Sequence, residues 1–251
     1  MESQRLKLFF VTIIFILLSS FAVKFFAPLF LGIIIAAIYL LIKNKDKLTK
    51  KDLIVAAIMS SLGSLNIIFI EKSLLAIALF VIIFITYLGA VTAFKNFLGW
   101  DKLLSKNWKK SLIIAIVLGL ILGFINLGGA EIKIKDPTIT PLLIGLQAGI
   151  MEEISFRFIL YALSIYILRD KEKNIVDKIL IYALMTLPHA ISHGFDIRNL
   201  IGAWIVFAMP LAILQKKLDL TSSITTHFII DLIRFVCLGG IKKGAVAKVL
   251  I

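Results

Sequence analysis

The residues able to do chemistry in this chain of 251 residues gather in its second half. Glu152, Glu153 and Arg157 put three charges into six residues of an otherwise apolar run from Pro141 to Leu168, a run long enough to cross a bilayer. A charge near the middle of a membrane helix costs about 3 kcal/mol on insertion scales, so an ionisable residue there marks a functional site with a partner to be found. On an α-helix Glu153 and Arg157, four residues apart, share a face and can pair, whereas Glu152 points about 100° away and stays free for other work. All three histidines, His189, His193 and His227, fall in the same half. Histidine and carboxylate are the side chains that activate water at neutral pH. His227 has Asp231 one helical turn on, so the two can act as a unit; a pair between Asp231 and Arg234 is the competing arrangement. His189 and His193 are also four apart, and pattern alone does not separate them, because Pro188 loosens the helix and lets either face the glutamates.

Positioning these groups falls to a chain that is 60% hydrophobic, with a mean hydropathy of +1.02, far above soluble usage. The expected fold is all-α, a polytopic transmembrane helix bundle of eight or nine spans. Apolar segments run from Leu8 to Val23, Phe25 to Ile42, Leu53 to Ile70, Ser73 to Phe94, Ser111 to Gly128, Pro141 to Leu168, Val176 to Ser192, Leu200 to Leu214 and Thr221 to Leu238. The first follows Arg5 and Lys7 as a signal peptide would, but it lacks a small-residue cleavage site and precedes many more spans, so it is expected to be retained. Residues 1–128 are expected to be a membrane scaffold and residues 129–251 the chemical core.

The net charge of +13 would point to nucleic acid in a soluble protein, but here its placement excludes that partner. With the N-terminus in the cytoplasm, the inside connections (Arg5 and Lys7, Lys43 to Lys51, Lys95 to Lys110, Arg169 to Lys178, Lys216 and Lys217) hold 18 lysines and arginines. The outside connections and the tail hold eight: Lys24, Lys72, Lys133, Lys135, Arg198, Lys242, Lys243 and Lys248. That bias sets the N-terminus inside, and the basic tail is what argues for one span fewer. Trp100 and Trp108 suit an interfacial segment. The single cysteine, Cys237, lies in an apolar segment, excludes an intrachain disulfide and reads as packing. Small size and short loops point to a prokaryotic cell membrane.

The order Glu152-Glu153-x-x-Phe156-Arg157, then a histidine ending the next span, then His227-x-x-x-Asp231, resembles the CAAX protease and bacteriocin-processing family, intramembrane endopeptidases related to the type II CAAX prenyl protease. Their motifs read EExxxR, often EExxFR, then FxxxH, then HxxxN or HxxxD. The resemblance covers about Gly145 to Leu238. The chain departs from it where a glycine commonly follows the arginine, here Phe158, and where a phenylalanine should precede the second motif's histidine by four: Met185 stands before His189, and His189 before His193. The interval from His193 to His227 and the pair His193-Gly194 favour His193 as the motif residue, with His189 in reserve.

The resemblance implies a peptidase acting on a membrane-proximal peptide, prepeptide or lipidated segment among membrane lipids. Glu152 with His193 would polarise the attacking water, Glu153 with Arg157 would hold the helix and tune the field, and His227 with Asp231 would support the oxyanion or orient the substrate. Asparagine is common at position 231; an ionised aspartate cannot donate to an oxyanion, so Asp231 is expected to orient His227. No cofactor is required by the glutamate-type chemistry; zinc, if bound, would fall to Glu152, His193 and His227. The alternatives are a family member without peptidase activity, such as a bacteriocin self-immunity or scaffold protein, and a transporter with a buried Glu/His relay.

Overall fold

The computed structural model describes residues 2–22, 27–71, 73–128, 132, 139–169, 174–194 and 196–238, and all regular structure among them is helical. An apolar chain out of water must satisfy its own peptide groups, and the helix does so within each segment. The rods are α1 (Glu2–Ala22), α2 (Ala27–Lys43), α3 (Lys50–Asn66), α4 (Leu75–Leu98), α5 (Trp108–Asn126), α6 (Thr140–Glu152), α7 (Ile159–Leu168), α8 (Ile175–Ser192), α9 (Ile197–Ile201), α10 (Met209–Lys217) and α11 (Leu220–Leu238). Their boundaries follow local chemistry. Asn174 and Asp177 box the start of α8, with Asp177 N donating to Asn174 Oδ1 at 3.0 Å and Asn174 N to Asp177 Oδ2 at 3.3 Å. Pro141 sits in the first turn of α6, where its missing N–H costs nothing, and Gly99 leaves α4 in the left-handed region at φ 75°.

Six helices among the described residues are long and apolar enough to cross a membrane: Glu2–Ala22, Lys50–Ile70, Leu75–Leu98, Trp108–Asn126, Ile175–Ser192 and Leu220–Leu238. The other three apolar segments are helical but do not meet that standard as single rods. Ala27–Lys43 has 17 residues. The two remaining stretches are broken by π-helical turns, Glu153–Phe158 joining α6 to α7 and Gly202–Ala208 joining α9 to α10. Large apolar side chains such as Phe21, Ile35, Ile54, Ile113 and Phe124 face outward, as a lipid-facing surface requires.

Polar contacts bind one end of the bundle into a layer. Arg5 Nε donates to Asp177 Oδ1 at 2.9 Å, Asn96 Nδ2 to Asn44 Oδ1 at 2.8 Å, and Lys95 Nζ to both oxygens of Asp52 at 2.6 and 2.7 Å. Lys51 pairs with Asp101 at 3.5 Å, Lys102 Nζ donates to the Lys216 carbonyl at 2.8 Å, and Ser105 N to Asp219 Oδ2 at 2.9 Å. The Tyr39 and Tyr166 hydroxyls meet at 3.1 Å, tying the last turns of α2 and α7 together. Lys24, Lys72, Lys133, Lys135, Lys242, Lys243 and Lys248, and the side chain of Arg198, lie outside the described residues.

Helices from before and after residue 128 interleave: α1 packs on α8, α4 on α7, and α11 against both α5 and α6. Small residues permit the closest of these approaches. A Cβ on Gly149 would meet Ile224 O at 3.1 Å and Phe228 N at 3.2 Å, so α6 lies against the α11 backbone one turn from His227.

Candidate active site

The site is built on the π-turn. A π-turn carries one residue more than an α-turn, which shifts the phase of every later residue on the helix and recurs at functional sites. Here it begins at Glu153 and spans Arg157. Arg157 Nη1 donates to Glu153 Oε1, and both side chains are sealed, at 1% and 0% exposure. The same oxygen, Glu153 Oε1, lies 2.7 Å from His227 Nδ1, which donates to it across from α11. Glu153 is thus the fixed anion between a cation on its own helix and an imidazole on another.

Glu152 sits at the mouth of the same recess, its side chain 16% exposed. Its Oε2 is 3.2 Å from His189 Nε2 and 3.5 Å from His227 Nε2. One imidazole therefore faces both glutamates, Glu153 at Nδ1 and Glu152 at Nε2. The carboxylate that helical phase leaves unassigned ends up between two histidines. Asp231 Oδ2 lies 3.6 Å from His227 Nε2, so three carboxylates surround that ring.

The structure separates the two histidines that pattern does not. His189, buried in the last turns of α8, makes the direct contact with Glu152, and its ring packs edge-on against Phe156 with centroids 5.0 Å apart. His193 caps α8, is exposed, and has its Nε2 3.0 Å from His189 Nε2. The resemblance favours His193; the geometry puts His189 at the carboxylate. The donors that cluster also differ from those expected for a metal: Glu152, His189 and His193 each offer an atom within 4.8 Å of the others, with His189 in the place expected for His227. Asp231 meets the His227 ring at Nε2, 3.6 Å away, while the shorter contact, at Nδ1, is made by Glu153.

Some supporting residues are not singled out by motif or spacing. Gln215 Nε2 donates to the Glu153 carbonyl at 3.4 Å and to Ser223 Oγ at 3.5 Å, linking α10, the π-turn and α11. Asn66 Nδ2 donates to Gln147 Oε1 at 2.9 Å in the buried contact between α3 and α6. A lone amide in an apolar span is the available signal for Asn66 and Gln147. Glu152 and His227 bring a carboxylate oxygen and an imidazole nitrogen to 3.5 Å, the group types from which a general base and a hydrogen-bond donor are made.

In comparisons with protein-family models, curated proteins and solved structures, nothing matches this chain.

Proposed function

We propose that this chain is a glutamate-type intramembrane endopeptidase of the CAAX protease and bacteriocin-processing kind, hydrolysing a peptide bond of a membrane-proximal peptide, prepeptide or lipidated segment. The observation that carries the reading is the pair of unequal glutamates: Glu152, at the mouth, between His189 at 3.2 Å and His227 at 3.5 Å, and Glu153, sealed behind it with Arg157. Glu152, positioned by His189, takes a proton from water as its oxygen attacks the scissile carbonyl. His227, holding a proton on Nδ1 for Glu153 and a second on Nε2, donates from Nε2 to the oxyanion that forms. The proton held by Glu152 then passes to the leaving amine. Glu153 and Arg157 position His227 and touch no substrate.

The same reading takes the chain across the cell membrane nine times. The polar layer supports it: the connections at 43–50, 95–107 and 217–220 contact one another, and the starts of α1 and α8 meet through Arg5 and Asp177. This layer carries the excess of lysine and arginine and belongs in the cytoplasm with the N-terminus.

The test is cleavage of a peptide library by the full chain in detergent. Glu152→Gln is expected to lose roughly 10²- to 10⁴-fold in kcat/KM, the usual worth of a general base, with an unfolding temperature near wild type because the shape is kept. Most activity surviving in Glu152→Gln would remove Glu152 from the role of base.

A further inference from the structure

His189, in the last turn of α8, and His193, which caps that helix, stand four residues apart on one face. We infer that Glu152, His189 and His193 form a binding site for a divalent transition-metal ion, Zn2+ foremost, whose occupancy switches the peptidase off. Two of the three distances between the donors match the ion. A tetrahedral zinc with bonds of about 2.0–2.1 Å to imidazole nitrogen and carboxylate oxygen has donor–donor edges of about 3.3 Å. Glu152 Oε2 and His189 Nε2 are 3.2 Å apart, and His189 Nε2 and His193 Nε2 3.0 Å. The third pair, Glu152 and His193, lies within 4.8 Å, an edge that binding the ion would shorten.

The donor set also fits. Two imidazoles and one carboxylate make up a common three-ligand protein set for zinc, leaving a fourth position for water, and histidines four apart on a helix present both rings to one ion. His193 is exposed, which gives the ion its entry path, while His189 is buried against Phe156 and fixes the site from beneath.

The consequence rests on the peptidase reading, but the site does not. An ion at these donors takes the Glu152 oxygen that faces His189, so Glu152 no longer accepts the proton of water. Glu153 cannot replace it, because its side chain is sealed from water at 0% exposure, with Oε1 held by Arg157 and His227.

The experiment is calorimetric titration of the full chain in detergent with Zn2+, with Co2+ as an optical probe of coordination number. Wild type is expected to bind one ion and to give the intense visible bands of four-coordinate cobalt. His193→Ala, altered at an exposed cap and checked for an unchanged unfolding temperature, is expected to bind about tenfold more weakly or worse and to lose those bands. Equal zinc affinity in the two proteins, or six-coordinate cobalt in wild type, overturns the site. Zinc is then added to the cleavage assay: inhibition of wild type at concentrations that spare His193→Ala supports the switch, and stimulation overturns it. Zinc binding without any metal-free cleavage overturns the switch together with the peptidase reading. Metal-free cleavage with no zinc binding dependent on His193 overturns this inference alone.

Discussion

A carboxylate sealed from water, with one oxygen accepting from an arginine and a histidine, cannot serve as a base, and on the proposed reading this is why Glu152 and Glu153, adjacent in sequence, take unlike roles. Removing the arginine exposes the difference. Arg157→Ala leaves Glu153 as a buried anion paired only with His227, and it is expected to cost about 3 kcal/mol or more of stability, read as a fall in unfolding temperature together with lost activity. The histidines divide similarly: His189→Ala is expected to lose as much cleavage as Glu152→Gln, whereas His193→Ala in metal-free buffer stays within about tenfold of wild type, because only His189 touches the carboxylate. The reverse order would restore His193 as the motif residue. At position 231 the prediction comes from the 2.7 Å contact between His227 Nδ1 and Glu153, which already orients the ring. Asp231→Asn should therefore keep cleavage within about tenfold, far short of the roughly 10⁴-fold loss seen when a histidine loses its sole orienter. The types and order of these residues are legible in the sequence; which histidine meets which oxygen is not, since that depends on contacts between helices far apart in the chain.

At the scale of the element, the π-turn and a glycine set the distances. The 100° step of a regular helix separates Glu152 from Glu153, and nothing in Glu153-Ile-Ser-Phe-Arg-Phe158 announces the extra residue in the turn. Gly149 decides how near α6 comes to α11. Gly149→Val inserts side-chain atoms where even a Cβ would stand 3.1 Å from Ile224 O, and the helices must part. Cleavage is expected to fall about 10²-fold, the cost of displacing catalytic groups by about 1 Å, while expression in the membrane persists. The loop at 99–107 carries a separate, testable charge. Lys102, outside the spans and with φ 59°, is held down from an ordinary 10.5 to about 8, chiefly by burial, with Asp219 pulling it up and Lys216 pushing it down. Between those two values the unfolded chain keeps a proton the folded chain has shed, so stability rises with pH across that window. Wild type should show that rise in unfolding temperature by scanning fluorimetry, and Lys102→Met should lack it.

Over the whole molecule, hydropathy is enough to announce an all-helical bundle with helices long and apolar enough to cross a membrane, because the segments are long and the loops short. It cannot say which segments are unbroken rods, since the polar interruptions it registers at Glu152 to Arg157 mark a π-turn only once the backbone is known. The sidedness has a direct check. With Cys237 replaced by serine, Lys47→Cys and Leu104→Cys should react with an impermeant maleimide only from the cytoplasmic side, and Ile132→Cys only from the other. Labelling of Ile132→Cys from the cytoplasm would remove one crossing between α5 and its neighbours. The bond between Glu153 and His227 has a consequence for how the protein is made. Its partners are 74 residues apart in sequence, so at about 5–20 residues per second the ribosome delivers the histidine roughly 4–15 s after the glutamate. During that interval the segment from Thr140 to Leu168 carries its own counter-ion in Arg157, one turn away. Arg157 thus neutralises Glu153 before α11 exists and leaves Glu152 as the one uncompensated charge of the segment, so the arginine serves the nascent helix before it serves a finished site.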